Sequence, residues 1–486
     1  MNSSIRWRTF TLSTVLDLLT IVALIAGCVL YLLGLGWLAV GPLLHGSLFK
    51  RRRDTLLVEE FPLILLGGFI LNFGILLVVQ KLNLSLIVGG VLALAGLVFF
   101  GIYLFRHHIG KVRNPDSLNK WVGVVFLNLL LTGPILTSAL MAWDARSIWY
   151  FHAKMIYFAG SIGLEAGWTD PTVIFSQLDY PKLVPALASQ IMYIMGFWNE
   201  YLPKLSLFLA FIPAVTWLVT FARKSYSYMF LVIMLPFSLF PWLWNGYMDG
   251  LLAFYFCIAL LLFDRYMKEG RSIDLVSSLA SALFLLYIKN EGNLALLVLL
   301  FAFAVYYVIE KKPFKQKLAF KFHWRYAVIT ITALIPFIIW GIYIKRWGIS
   351  NDLGLGTESS FDRLFLRLTD GSLEMIISKI FKYINASLML LVLLLVSNLL
   401  FKRPFIKSSL PAIIATSLYI LGMAAIYLFT PHDLVWHLNN STVRVMELAN
   451  GGFAIACYLL LQGLEDDPIV NEPVAIRHLF ARKTEL

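Results

Sequence analysis

Ionisable side chains with chemical potential gather in a few short stretches of an otherwise apolar chain. WDARSIWYFHAK holds Asp144, Arg146, His152 and Lys154, and the following LDYPKLVPALASQ adds Tyr180. WNGYMDG carries Asp249, YIKNEG carries Lys289 and Glu291, and PHDLVWHLNNSTVR carries His432, Asp433, His437 and Arg444. Carboxylates can take a proton from a hydroxyl or amine, while ammonium and guanidinium groups stabilise an anion as it leaves. Arginine suits phosphate in particular, because its planar fork makes two parallel bonds to the oxygens. These are the residue types needed to move a group off a phosphate. No dense Asp/His cluster of metal-binding character stands among them. With a monophosphate as leaving group, Arg and Lys can replace a divalent ion, so no metal or other cofactor is expected.

The elements that must hold these residues are membrane helices. The chain is 59% hydrophobic and 14% charged, with a mean hydropathy of +0.79, against about 25% charge in a soluble domain. Apolar runs long enough for about 30 Å of hydrocarbon occur at 12–34, 56–80, 83–105, 121–142, 203–222, 227–245, 247–263, 274–288, 292–310, 325–346, 384–401, 409–429 and 449–463. The expected architecture is an all-α polytopic membrane protein: one domain over 1–463, about thirteen transmembrane helices, and a polar cytoplasmic tail at 464–486. Short loops at 50–53, 106–120, 223–224, 264–271, 311–325 and 402–407, together with the tail, carry most of the 40 Lys and Arg. Short basic loops stay cytoplasmic, so the loops at 143–202 and 347–383 are expected outside. The +12 net charge therefore reads as a topology signal, not as a nucleic-acid surface. Residues 12–49 make either one crossing, the reading we favour, or two with a tight turn at Gly34 and Gly36. The long N-terminal run reads as a retained anchor, since it lacks a small-residue cleavage site. Cys28, Cys257 and Cys457 all fall in apolar runs without a CxxC partner, so neither disulfides nor a metal site is expected.

This orientation brings Asp144, Asp249, Lys289, Glu291, His432, Asp433, His437 and Arg444 to the exterior ends of helices. A charge within a span costs roughly 2.5 to 3.5 kcal/mol, so each could simply mark a helix end in water. Four separated segments with ionisable groups at one level argue for a shared site. Within the first exterior loop, Trp143 to Ala159 mixes apolar and polar residues in the manner of a helix lying along the interface, roofing a cavity. The run 183–197 is too short for a comfortable span and is expected to be a second interfacial helix. In the second exterior loop, FDRLFLRL repeats apolar residues at helical spacing and reads as an amphipathic flap or as a surface anchor. The GLG before it is too weak to read as a phosphate loop. Asp170, Asp179, Asp352 and Asp362 are expected to be solvated.

WDARSIWYFHAK followed by DYPKLVPAL, GYMDG, KNEG and DLVWHLNNSTVR resembles the bacterial polytopic glycosyltransferases of the GT-C superfamily, relatives of the protein O-mannosyltransferases and of the lipid A aminoarabinose transferase. The likeness covers about residues 121–445. It implies a GT-C-like bundle, a sugar donor carried on polyprenyl phosphate, an external active site and an acidic catalytic base in the first large exterior loop. Asp144 matches the acidic position. Many relatives place two acids side by side there, whereas Ala145 follows here; Asp249 could supply the second carboxylate. On residue types alone, Asp144 is the candidate base, unless it only caps a helix or pairs with Arg146. Arg444 is the candidate phosphate ligand, with Lys289 and His437 as further anion ligands. Asp249 could orient the acceptor or hold Lys289, and Glu291 could pair with Lys289. The implied partners are the lipid-linked donor, an acceptor of unknown type and the bilayer. A lipid-linked oligosaccharide polymerase or ligase and a secondary transporter remain rival readings.

Overall fold

The computed structural model describes residues 12–44, 57–107, 115–223, 225–310, 324–351, 358–400 and 406–465. The basic stretches at 50–53, 111–113, 311–323 and 402–403, Asp352, the GLG and the tail from 466 onward lie outside the described residues. Sixteen α-helices follow in order: α1 (Leu12–Leu44), α2 (Leu57–Val79), α3 (Leu82–His107), α4 (Pro115–Thr132), α5 (Tyr150–Ala159), α6 (Leu183–Met195), α7 (Leu205–Thr220), α8 (Tyr226–Ser238), α9 (Asp249–Glu269), α10 (Ser272–Phe284), α11 (Glu291–Ile309), α12 (Trp324–Arg346), α13 (Glu358–Thr369), α14 (Ser372–Leu400), α15 (Ile406–Phe429) and α16 (Leu434–Glu465). The only β feature among the described residues is an isolated bridge between Lys81 and Ser161. Apolar runs in lipid must satisfy their backbone groups internally, and helices do so.

Nine helices among the described residues are long and apolar enough to cross a membrane, or ten if α14, bent by 73°, counts as one span. Thirteen were expected. Two of the predicted runs, 227–245 and 274–288, fold as the 13-residue helices α8 and α10. The first is cut short where Pro236 and Pro241 remove backbone donors. The chain is a multi-pass membrane protein.

Helix α1 is continuous through Gly34 and Gly36, which rules out the two-crossing alternative. The glycines serve close packing. A Cβ on Gly36 would overlap the Ile64 carbonyl, one on Gly68 the Leu32 carbonyl, and one on Gly34 the Ala93 carbonyl. Small residues let membrane helices approach backbone to backbone where lipid offers no hydrophobic drive.

The centre is α9, enclosed along its whole candidate span and packed by α10, α16 and α7. At its far end Arg265 bonds Asp274 at 2.8 Å, and Arg271 bonds both Asp274 (2.6 Å) and Glu59 (3.0 Å). This clamp ties α9, α10 and α2 together, so the chain leaving α10 toward Lys289 starts from a fixed root.

Helix α6 departs from expectation. Instead of lying on the surface it is buried from Leu183 to Met192. Gln190 explains this, donating to Asn72 Oδ1 (3.2 Å) and Ser85 Oγ (3.3 Å) and accepting from Asn72 Nδ2 (2.7 Å). Satisfied in this way, the amide can sit among α2 and α3 without the cost of an unpaired polar group. Helix α13 docks by its arginines: Arg363 Nε donates to Phe429 O (3.1 Å), and Arg367 donates to Thr430 O (2.8 Å), Tyr427 O (2.9 Å) and His432 O (3.1 Å). Cations on the carbonyl end of α15 are favourable. The apolar Phe365, Leu366 and Leu368 of α13 stay exposed.

Candidate functional site

Asp144 does not follow α4 directly. The helix ends at Thr132, a short 3-10 turn and a bend intervene, and Asp144 then caps a π-helical turn, Ala145–Trp149. Its side chain makes no capping bond. Nor does it pair with Arg146, which is exposed. Instead its Oδ2 accepts a hydrogen bond from the Arg444 guanidinium, from a residue 300 positions later in the chain.

Arg444 is held on several sides. Its Nε donates to Asn440 O (3.2 Å), one turn back on α16. Its guanidinium lies 5.3 Å from the Tyr247 ring centroid, a cation–π distance. The Tyr247 hydroxyl in turn accepts the Asp144 backbone N–H at 3.2 Å, and its ring stacks on Trp242. Burial raises the Tyr247 phenol above its ordinary pKa. Tyr180 lies within electrostatic reach of Arg444 and stacks on Trp149, ring centroids 5.2 Å apart.

Beside this pair lies a second ion group. Lys289 Nζ sits 2.8 Å from both Asp249 Oδ1 and Glu291 Oε1. Asp249 opens α9 and Glu291 opens α11, where carboxylates also meet the positive helix ends. Lys289 is only 3% exposed. Burial works against its ammonium, but the Asp249 and Glu291 carboxylates outweigh this and hold its pKa above the ordinary lysine value. Asp249 Oδ2 and Glu291 Oε2 have no hydrogen-bond partner among the described residues. Asp249, Lys289, Glu291, Tyr419 and Arg444 line a narrow recess that their side chains nearly fill.

The other predicted residues stand apart from this recess. Lys154 is bonded to Glu200 at 2.7 Å. Asp433 caps α16, accepting the Trp436 N–H at 2.7 Å. His432 lies beside Trp436, and His437 bonds Thr430 Oγ1 through Nδ1 (3.0 Å) with its ring against Tyr427. His437 shares a face of α16 with Arg444, about 10 Å along the axis.

His152 is fully buried, in contact with Lys182. Lys182 is also fully buried, its Nζ donating to Leu178 O (2.9 Å), Tyr180 O (2.9 Å) and His152 Nδ1 (3.1 Å), with the Trp168 and Trp340 rings at 5.0 and 5.2 Å. Three acceptors match the three protons of an ammonium. Burial lowers the Lys182 pKa, and the Asp179 carboxylate opposes that. His152 must then be neutral, with Nε2–H toward Ser176 Oγ (3.2 Å), which itself donates to Val173 O (2.7 Å). Burial and the adjacent Lys182 charge hold the histidine well below its ordinary pKa.

Asp179 corrects a further expectation, since it is buried instead of solvated. Its Oδ2 accepts from Asn290 Nδ2 (2.6 Å) and Asn351 Nδ2 (2.7 Å). Two donors from other segments replace the water it would otherwise need. DYPK is thus a keystone: Lys182 fixes its carbonyls, Asp179 grips the residue between Lys289 and Glu291, and Tyr180 approaches Arg444. Asp170 and Asp362 are exposed, as expected of solvated aspartates.

A separate apolar groove runs between α1, α2, α3, α10 and α12, with a volume of about 890 Å³. From Leu63 to Val79 it follows α2 for about 24 Å. Its wall on α10 reaches Leu283, from which the chain arrives at Lys289 within two turns. Among the described residues no group of three or more His, Cys, Asp or Glu side chains is placed to hold a metal ion.

The fold and site define a multi-pass membrane protein with a five-membered charge cluster, buried at Asp249 and Lys289 and half-buried at Asp144, Glu291 and Arg444. No family model, curated protein or solved structure matches the chain.

Proposed function

We propose that the protein is a membrane glycosyltransferase that moves a sugar from a polyprenyl-phosphate donor to an acceptor on the exterior face of the cell membrane. The observation that carries this reading is that Asp249, Lys289, Glu291 and Arg444, from three distant segments, line one recess, and that Asp144, from a fourth, is bonded to Arg444 there. Asp144 takes the proton of the acceptor hydroxyl or amine as the acceptor atom bonds to the sugar's anomeric carbon. The bond from that carbon to the phosphate oxygen breaks, and its electron pair leaves with the polyprenyl phosphate. Arg444 and Lys289 stabilise the departing charge, in a desolvated setting where such contacts gain strength. The groove along α2 suits the hydrocarbon chain of a lipid-linked substrate, being apolar and membrane-deep. The exterior location rests on the basic loops of the sequence.

The test is sugar release from purified protein offered a panel of polyprenyl-phosphate sugars, with Asp144→Asn in parallel. A general base contributes about 10²- to 10⁴-fold, so the variant should lose at least about a hundredfold in turnover while unfolding at the same temperature as wild type. Equal turnover in both proteins removes Asp144 as base. Activity confined to an oligosaccharide pyrophosphate would point to a lipid-linked polymerase, and solute flux without sugar release to a transporter.

A further inference from the structure

We infer that the Asp144–Arg444 pair is a latch, in which the base is held by the phosphate ligand until the donor's own phosphate displaces it. The inference rests on the transferase reading and adds an order of events: donor first, active base second.

The recess as it stands is poor in free positive charge. Three carboxylates, Asp144, Asp249 and Glu291, face two cations, Arg444 and Lys289. A phosphate entering without rearrangement meets a site whose cations are already neutralised. One of the two ion groups must open.

The pairs differ in how readily they can part. Lys289 and Asp249 are 3% and 4% exposed, and each Lys289 bond ends on a carboxylate whose second oxygen has no hydrogen-bond partner among the described residues. Releasing Lys289 would strand buried charges, which costs several kcal/mol. Asp144 and Arg444 are 14% and 15% exposed, at the rim. Arg444 keeps Asn440 O and the Tyr247 ring when Asp144 leaves, so its guanidinium stays aimed while one edge is freed. Asp144 stands at the start of a π turn beside the exposed Trp143, and Arg444 is its sole side-chain partner among the described residues. The rim pair is the one built to exchange.

The exchange has a chemical consequence. While Asp144 is bonded to Arg444, its carboxylate oxygen is occupied and turned to the guanidinium. Once a phosphate takes Arg444, that oxygen is released and can reach the acceptor's proton. Without donor the carboxylate stays engaged, and side reactions with water are suppressed.

The test is equilibrium binding of polyprenyl monophosphate, without sugar, to the full-length protein in detergent. If Asp144 competes with phosphate for Arg444, Asp144→Asn should bind the lipid phosphate about tenfold more tightly than wild type, and Asp144→Glu should bind like wild type. Arg444→Gln should lose binding by about tenfold or more. Inorganic phosphate, the probe without a tail, should show the same ranking at lower affinity. If Arg444→Gln binds as wild type does, phosphate does not sit at Arg444 and the transferase reading itself falls. If Arg444→Gln loses binding but Asp144→Asn matches wild type or binds more weakly, the phosphate site stands and the latch is overturned. Thermal unfolding of each variant guards the comparison, with Asp144→Glu as the charge-preserving control.

Discussion

Replacing Lys182 by methionine tests whether a buried ammonium holds the DYPK segment, which reaches Asn290 through Asp179. Methionine fills nearly the same length and keeps contact with the Trp168 and Trp340 rings, but it donates no hydrogen bonds. Leu178 O, Tyr180 O and His152 Nδ1 then lose a donor in a region from which water is excluded. Each stranded acceptor costs about 1 to 3 kcal/mol, or roughly 3 to 9 in sum. Against this, methionine avoids the penalty of burying a charge, which is several kcal/mol, and a sulfur–ring contact returns about 0.3 to 1.5 kcal/mol. Where the stranded acceptors outweigh these gains the variant is destabilised, and the expected result is a lower midpoint in denaturant unfolding of the detergent-solubilised protein. Because Tyr180 and Asp179 are anchored through those carbonyls, binding of polyprenyl phosphate should weaken under conditions where the variant is still folded. A midpoint equal to or above that of wild type would mean that the carbonyls find other donors and that Lys182 is not what fixes the segment.

Three further outcomes follow from the same packing. His152 is buried neutral with a depressed pKa, so the unfolded chain binds an extra proton below about pH 6.5. Stability is therefore whole above that pH and falls by about 1.4 kcal/mol per unit of further acidification until the folded-state pKa is reached; His152→Gln should flatten that part of an unfolding-versus-pH curve, and an unchanged slope would show that other groups set it. Lys289→Met leaves Asp249 and Glu291 facing each other in a buried recess, and the unfolding free energy should drop by about 3 to 5 kcal/mol; a neutral result would mean that the recess admits water. Gly36→Ala forces α1 off the Ile64 carbonyl, and a destabilisation of about 1 to 3 kcal/mol by overpacking is expected; wild-type thermal stability in the variant would show that the two helices can part without loss.

The charge cluster was legible because charge is rare in this chain. Asp144, Asp249, Lys289, Glu291 and Arg444 stand out against 59% hydrophobic composition, and each had to find a partner. Tyr247 and Tyr419 did not stand out, since the chain has 21 tyrosines and nothing in spacing marks the ones beside a guanidinium. Asp179 is expected to be solvated, and nothing in its neighbours marks Lys182, because Asn290, Asn351 and Trp340, which bury them, lie far away in sequence. Hydropathy likewise could not tell lipid from protein as the neighbour of an apolar segment. That is why α6 was expected on the surface, and why Gly34 and Gly36, which look like a turn, proved to be a contact face. The membrane class and the helical architecture depended only on composition and run length, and for that reason they were readable without knowing any neighbour.

The pairing of Asp144 with Arg444 also bears on how the molecule is made. At about 5 to 20 residues per second, a ribosome needs roughly 15 to 60 seconds to travel the 300 positions between them. Throughout that interval the nascent chain carries the acid without its counterion, and only insertion of the last long helix completes the ring of charges. Chains released before that helix therefore keep Asp144 without the guanidinium that pairs with it in the finished fold.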